Sequence, residues 1–118
     1  DVTHVIKWAY KESLKGRHPA QKVGAVLYSG GRVIARRANM ARPHGLCNRG
    51  FHAEERLLKC CDEKVVRGST VVIVRTNTKG FLSAMSRPCD VSYSLLKKAG
   101  VRKIVYIDWD RNVSTERV

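Results

Sequence analysis

The chain has 118 residues, of which 43% are hydrophobic, so it can bury one core but is too short for two domains. It carries 23 Lys and Arg against 10 Asp and Glu, a formal net charge of +13. No apolar stretch approaches the roughly 18 residues of a membrane-spanning helix, so we expect no membrane partner. The charge favours a polyanionic partner, such as RNA, DNA or a phosphorylated small molecule, over a merely solvated basic surface.

The first half of the chain predicts a helix followed by a hairpin. Thr3 is a suitable cap for a helix that runs to about Lys15. Its apolar stripe consists of Val5, Ile6, Ala9, Tyr10, Ser13 and Leu14. Residues 23–39 then form two strands around a Ser-Gly-Gly turn, and residues 39–51 form a loop rich in arginine.

The second half alternates helices and strands. A helix is predicted from His52 to about residue 64, and a second from Pro88 to a stop at Gly100. Residues 69–75 and 103–109 are continuous apolar runs, which are typical of strands buried on both faces. Strands joined through helices should run parallel, whereas a last strand that follows a tight turn after residue 109 should return antiparallel.

The cysteines number four and show no even-spaced framework, which indicates a reducing, intracellular compartment, either cytoplasm or nucleus. Cys60 and Cys61 lie at helical spacing with the apolar residues around them, so we expect a core position for both.

Aromatic and arginine side chains leave two interpretations open. Trp8 fits an amphipathic core or an interface, whereas Trp109 and Phe81 fit edge positions or base-stacking platforms. Four arginines fit either solvated loop charge or phosphate contacts, namely Arg36, Arg37, Arg42 and Arg49.

Two predicted helix starts carry the side chains that suggest chemistry. The first begins with His52 and has Glu54 two residues on. The second has Cys89 and, three residues further, Ser92, so both face one side of the helix. A helix start favours the thiolate that a metal needs, because its free N–H groups lower the pKa of a thiol.

These residues resemble the H-x-E and P-C-x-x-C signature of the zinc-dependent cytidine/deoxycytidylate deaminase superfamily. The hairpin VGAVLYSGGRVIARRANM, the strand TVVIVR, the SRPC loop and the run KKAGVRKIVY follow in the order of that family, so the resemblance covers roughly residues 3–108. It implies an α/β fold of three layers, α/β/α, with a mixed five-stranded sheet flanked by helices, as one domain over residues 1–118.

The resemblance also implies the chemistry, which is that of a hydrolase acting on the amidine C–N bond of cytosine. His52 and Cys89 would bind Zn²⁺, which lowers the pKa of its bound water to about 7. Glu54 would carry protons from that water to the ring nitrogen and the leaving ammonia. Ser92 occupies the position of the second cysteine of the motif.

Five residues form the predicted substrate-binding set. Asn39 would hold the sugar or base, and the backbone N–H of Ala53 would bind the carbonyl of a pyrimidine. His44 and Arg42 lie in the arginine-rich loop, and Ser86 precedes the second motif.

Three departures from the family pattern bear on activity. A serine hydroxyl is a poor zinc ligand, so Ser92 predicts a weakened or inactive metal site, and Cys47, Cys60 and Cys61 are poor substitutes. The 33 residues between Glu54 and Pro88 make a longer spacing than polynucleotide-editing members suggest. Polynucleotide and deoxycytidylate members usually continue with a further helix and a parallel fifth strand, whereas this chain stops after a tight turn, which favours an antiparallel last strand or a truncated chain.

Several functions remain open at this point. The charge favours cytosine in single-stranded DNA or RNA as the substrate, because a base must leave its stack to enter a pocket. The short C-terminus favours a free nucleoside or nucleotide, cytidine or deoxycytidylate, and adenosine in tRNA is a third substrate. Ser92 favours a catalytically dead protein that binds nucleic acid. Members of this superfamily often form homo-oligomers, and nothing in the sequence fixes an interface.

Overall fold

The computed structural model describes residues 3–15, 22–38, 53–76, 86, 88, 90–108, 110 and 112–118, without the side chains at positions 3, 54 and 55. Its helices and strands are, in chain order, α1 (Thr3–Ser13), β1 (Lys22–Ser29), β2 (Arg32–Ala38), α2 (Ala53–Cys60), α3 (Glu63–Val66), β3 (Thr70–Thr76), α4 (Asp90–Ala99), β4 (Lys103–Ile107) and β5 (Val113–Arg117). In this described part of the chain, every helix is too short or too polar to cross a membrane.

The five strands form one mixed sheet in the order β2-β1-β3-β4-β5. β1 is antiparallel to both β2 and β3, so β2 and β3 run in the same direction with β1 between them. β3 and β4 are parallel neighbours. β5 returns antiparallel to β4, as the tight turn predicts.

The sheet is covered on both faces, which confirms the predicted three-layer α/β/α architecture. On one face, α2 and α4 pack against a buried cluster that includes Leu57, Leu96 and Ile73. On the other face, α1 packs through Val5 and Ala9. β3 contributes alternate residues to the two clusters, because successive side chains of a strand point to opposite faces.

The predicted hairpin is confirmed by its turn. Gly30 and Gly31 have φ angles of 57° and 78°, and they alone separate β1 from β2. Positive φ at both central residues matches the right-handed twist of the flanking strands, and glycine adopts it without steric cost.

The predicted continuous helix of residues 52–64 is wrong near its end, because residues 61 and 62 interrupt it. α2 ends at Cys60, and Asp62 begins α3 by accepting a hydrogen bond from the Lys64 amide at 3.2 Å. A new helix starts here because an aspartate side chain satisfies the free amides of a helix start.

This break also moves the cysteine pair out of the predicted core. Cys60 is exposed, contrary to our expectation, and Cys61 is only partly buried, with its Sγ 3.6 Å from that of Cys60. Burial, together with the hydrogen bond that the Cys61 thiol makes with the neighbouring Cys60 sulfur, raises the pKa of Cys61 to about 11. The thiol therefore stays protonated at neutral pH.

The predicted apolar stripe of α1 is confirmed except at its end. Leu14 is exposed, whereas Glu12 is buried, with 8% of its surface exposed. The carboxylate of Glu12 lies 3.4 Å from the Lys15 ammonium, which offsets part of the cost of burying the charge.

Asp108 ends β4 and organises the turn into β5. Its Oδ1 accepts hydrogen bonds from the amides of Asn112 and Asp110, both at 2.9 Å, and its Oδ2 accepts one from the Ser114 hydroxyl at 2.8 Å. The Asn112 amide, followed by the Ser114 hydroxyl and the Asp110 amide, lowers the pKa of this carboxyl below its ordinary value, because all three bonds favour the charged form.

We expect Asp108→Asn to lower the melting temperature at neutral pH and to have little effect in acid. A carboxyl whose pKa is lower in the folded state stabilises the fold above its unfolded pKa of about 3.9, and this stabilisation is lost as the pH falls through the folded pKa. Melting temperatures measured from pH 7 down to pH 2 test this. Asp110→Asn removes the same charge from the same turn and serves as control. An equal effect of Asp108→Asn at every pH would contradict the assignment.

Candidate functional site

The carboxyl ends of three strands lie at one edge of the sheet. β2, β3 and β4 run in the same direction, because β1 is antiparallel to the first two and β4 is parallel to β3. In sheets of this kind, ligands bind in the crevice outside the carboxyl ends of the strands. The loop after β2 and the segment after β3 both begin at this edge, and they contain most of the predicted site residues.

Ser86 lies between the ends of β3 and β4. Its hydroxyl donates to the Ile73 carbonyl at 2.8 Å and accepts from the Ile107 amide at 2.8 Å. Its own amide donates to the Ile107 carbonyl at 2.9 Å. The regular pairing of β3 with β4 covers residues 70–72 and 103–105, so Ser86 bridges the two strands just beyond it.

The bonds of Ser86 hold the chain against β3 and β4 three residues before Cys89 of the second motif. Ser86 and Pro88 are both buried, and α4 begins two residues after the proline. Asp90 in its first turn suits the positive end of the helix dipole. The hydroxyl of Ser86 is engaged by backbone groups, and its contact with a substrate stays a prediction.

We expect Ser86→Ala to cost about 2 kcal/mol of unfolding free energy, because it leaves a buried carbonyl on β3 and a buried amide on β4 without this partner. Denaturant unfolding at 25 °C measures this cost. Ser94→Ala removes a hydroxyl from an exposed position of α4 and should change stability by less than about 0.5 kcal/mol. Equal costs for the two variants would show that the bridge contributes nothing.

Ser92 lies on the buried face of α4. It is fully buried, as is Leu96 one turn further along the helix. Leu96 belongs to the same core cluster as Ala53 and Leu57 of α2. The predicted ligand position of the motif therefore faces the layer that α4 shares with α2 and the sheet, rather than solvent.

The start of α2 is tied to the end of β2. Arg56, in the first turn of α2, donates from Nη1 to the Ala38 carbonyl at 2.5 Å. Ala53 is fully buried at the first position of the helix, and Asn39 directly follows Ala38 in the chain. Sequence reasoning missed this bond, although the place of Arg56 two residues after the HAE motif was a usable signal.

Several predicted site residues lie outside the described residues. These are Asn39, Arg42, His44, His52 and Cys89, and the side chain of Glu54 lies outside them as well. Their roles stay predictions. Among the described residues, no three His, Cys, Asp or Glu side chains come together as a metal site.

The described part of the predicted zinc site does not fit a resident Zn²⁺. Ser92 presents a neutral hydroxyl where the ion requires a thiolate, and burial makes ionisation of that hydroxyl still less favourable. Cys60 is the last residue of α2 and Cys61 follows it, seven and eight residues after Ala53, and the raised pKa of the Cys61 thiol opposes metal binding.

Comparison with known proteins shows the fold. No protein-family model matches the sequence, and no curated protein matches it. Among solved structures, the cytidine deaminase from Burkholderia pseudomallei is 20% identical, with a TM-score of 0.69 over 98% of this chain and 91% of its own. The cytidine deaminase from Mycobacterium leprae is 19% identical, with a TM-score of 0.62 over 98% of this chain and 94% of its own.

A larger protein contains a similar unit. RibD from Acinetobacter baumannii is 20% identical, with a TM-score of 0.54 over 86% of this chain. The match spans only 26% of the RibD chain. Together with the sheet order and the two helix layers, these likenesses establish that the chain has the cytidine deaminase-like fold.

Proposed function

We propose that this chain is a member of the zinc-dependent cytidine/deoxycytidylate deaminase superfamily whose metal site is weakened by Ser92. One observation carries the proposal. The cytidine deaminase-like fold extends over 98% of the chain, and the H-x-E and P-C motifs follow β2 and β3 in the chain, two strands whose carboxyl ends lie at one edge of the sheet. The reaction would be hydrolytic: water adds to C4 of cytosine, the C4–N4 bond breaks, and ammonia leaves.

The residues of this chain would divide the work as follows. Glu54 would take a proton from the attacking water and deliver protons to the ring nitrogen and the leaving amine. The Ala53 amide, at the first position of α2, would donate to the pyrimidine carbonyl. Asn39 would hold the sugar, and Arg56 would position both segments through its bond to Ala38.

The natural chain should hold zinc poorly. His52 and Cys89 are suitable donors by residue type, but the third donor is a hydroxyl that is protonated at neutral pH. We therefore expect zinc affinity at least about a hundredfold below that of a Cys-containing site, since even substitutions outside the ligand set weaken binding by about 10–100-fold. The deaminase activity of the natural chain should be correspondingly weak or absent.

A free cytosine nucleoside is the substrate that the strand order favours. β5 is antiparallel to β4 and follows it after a short turn, rather than lying parallel to it beyond a further helix. The cytidine deaminases named above support this substrate, because the chain covers more than nine-tenths of each of them. The second candidate is cytosine in single-stranded nucleic acid, which the net charge of +13 favours.

The test is a deamination assay of the natural chain, Ser92→Cys and Ser92→Cys/Glu54→Gln on cytidine, deoxycytidylate and a cytosine-containing oligonucleotide. We expect uracil product from Ser92→Cys, on cytidine above all, with a rate at least about a hundredfold above the natural chain. Glu54→Gln should lower that rate by about 10²–10⁴-fold, because an amide cannot carry the proton.

The same assay separates the alternatives. Product from the oligonucleotide alone would overturn the nucleoside assignment in favour of a polynucleotide substrate. If Ser92→Cys binds zinc but converts none of the three substrates, the deaminase proposal is wrong. Oligonucleotide binding without any deamination in either protein would then favour a nucleic-acid-binding protein without enzymatic activity.

A further inference from the structure

Trp8 is an exposed aromatic residue with two cations close to its ring. Its side chain is 39% exposed on α1. The Arg36 guanidinium of β2 lies 4.5 Å from the centroid of its ring, and the Lys11 ammonium lies 5.3 Å away. Such contacts hold a cation over an aromatic face without neutralising its charge, so both cations remain available to an anion.

The surface around Trp8 has few carboxylates. Residues 3–15 and 22–38 contain one acidic residue, Glu12, whose carboxylate is buried and pairs with Lys15. The same segments contain seven basic residues, namely Lys7, Lys11, Lys15, Lys22, Arg32, Arg36 and Arg37. In the described part of the chain, the positive charge around the ring is therefore not balanced locally.

The position of this surface separates it from the candidate active site. α1 packs on one face of the sheet through Val5 and Ala9, whereas α2 and α4 pack on the other. β2, which supplies Arg36, is one of the two edge strands of the sheet. An elongated ligand can therefore extend past β2 without meeting another strand of the part of the chain that the structure describes.

We propose that Trp8, Lys11 and Arg36 form a docking surface for single-stranded nucleic acid, distinct from the deaminase site. The two cations contact backbone phosphates, and the exposed part of the indole stacks on a base. A duplex does not present unstacked bases, so the exposed ring favours single strands. Because the surface lies across the sheet from α2 and α4, a strand bound there need not deliver a base to the deaminase site.

Binding of labelled oligothymidine and oligouridine, followed by fluorescence anisotropy over a range of salt concentrations, tests the proposal. These probes lack the exocyclic amine of cytosine, so they report docking without deamination. Trp8→Ala should weaken binding about tenfold. Arg36→Ala and Lys11→Ala should each weaken it and flatten the slope of log affinity against log salt by about 0.7.

Substitutions of the same residue types at other positions serve as controls. Lys98→Ala removes an exposed positive charge from α4, across the sheet, and should change affinity by less than about twofold at physiological salt. Trp8→Phe and Trp109→Phe each leave one tryptophan. We expect the oligonucleotide to quench fluorescence in Trp109→Phe but not in Trp8→Phe, and thermal unfolding checks that every variant folds.

The proposal is overturned if quenching follows Trp109, if Lys98→Ala weakens binding as much as Arg36→Ala, or if a duplex binds as tightly as a single strand. Vesicles containing phosphatidylserine that bind more tightly than either oligonucleotide, in a manner that depends on Trp8, would assign the surface to a membrane instead. Ser92→Cys should leave docking unchanged, so failure of the deaminase proposal would be seen separately.

Discussion

Replacing Ser92 with Cys is expected to raise the zinc content of the purified protein from near zero to about one ion per chain. The substitution exchanges a hydroxyl for a thiol on the buried face of α4, three residues after Cys89. Two cysteines at this spacing near a helix start point to one side, and the helix dipole favours their thiolates. With His52 they supply the three protein ligands of a catalytic zinc site.

The size of this effect follows from the pKa of the two side chains. A thiol has an ordinary pKa of about 8.5 and is readily ionised by a bound metal, whereas a serine hydroxyl stays protonated. Metal analysis after dialysis measures zinc per chain, and a chelator titration measures affinity.

Ser94→Cys is the matched control, because it places a new thiol on the exposed side of the same helix. It should bind no more zinc than the natural chain. Equal zinc content in Ser92→Cys and Ser94→Cys would show that position 92 is not a ligand position.

Gly24→Ala is expected to destabilise the fold by about 3 kcal/mol, at the upper end of the cost of overpacking a core. A methyl group at this position of β1 would meet the Ala9 carbonyl and the Ser13 amide of α1. Both obstacles are backbone atoms, which cannot rotate away as a side chain can. α1 would have to move off the sheet, which also strains the hydrogen bond between the Ser13 and Thr76 hydroxyls at 3.2 Å.

Urea unfolding at 25 °C measures this cost, and Gly30→Ala provides the comparison. Gly30 has a φ of 57° in the hairpin turn, with open space where a Cβ would stand. Alanine there should cost about 1–2 kcal/mol from backbone strain alone. A smaller cost at Gly24 than at Gly30 would contradict the close packing of α1 on β1.

Much of the fold could be predicted because local chemistry and long-range packing agree. The two-glycine turn fixes the hairpin, and the alternate burial of Val71 and Val72 in β3 confirms a strand covered on both faces. The parallel pairing of β3 with β4 follows from the helix that connects them. Each of these features depends on residues within a short stretch of chain.

The features that were missed depend on competition between neighbouring residues. Helical spacing continues through Cys61, but the Asp62 side chain offers the following amides a cap, and α2 ends at Cys60. In α1, Glu12 is buried and Leu14 exposed, which the hydrophobicity of the residues does not predict.

The candidate site was likewise predicted only in part from the sequence. The motifs predict which residues take part, and the strand directions bring the carboxyl ends of β2, β3 and β4 to one edge of the sheet. The bridge of Ser86 between β3 and β4, and the bond of Arg56 to Ala38, join residues far apart in the chain, which no local pattern predicts. The convergence of His52, Glu54 and Cys89 stays a prediction.

X-ray absorption spectroscopy of zinc-loaded Ser92→Cys tests most directly whether His52 and Cys89 converge on one metal ion. We predict about two sulfur ligands at about 2.3 Å and about two nitrogen or oxygen ligands at about 2.0–2.1 Å. The sulfur count should fall by one in Ser92→Cys/Cys89→Ala, and His52→Ala should remove the imidazole signal. A first shell without sulfur, or one unchanged by both further substitutions, would contradict a metal site built from positions 52, 89 and 92.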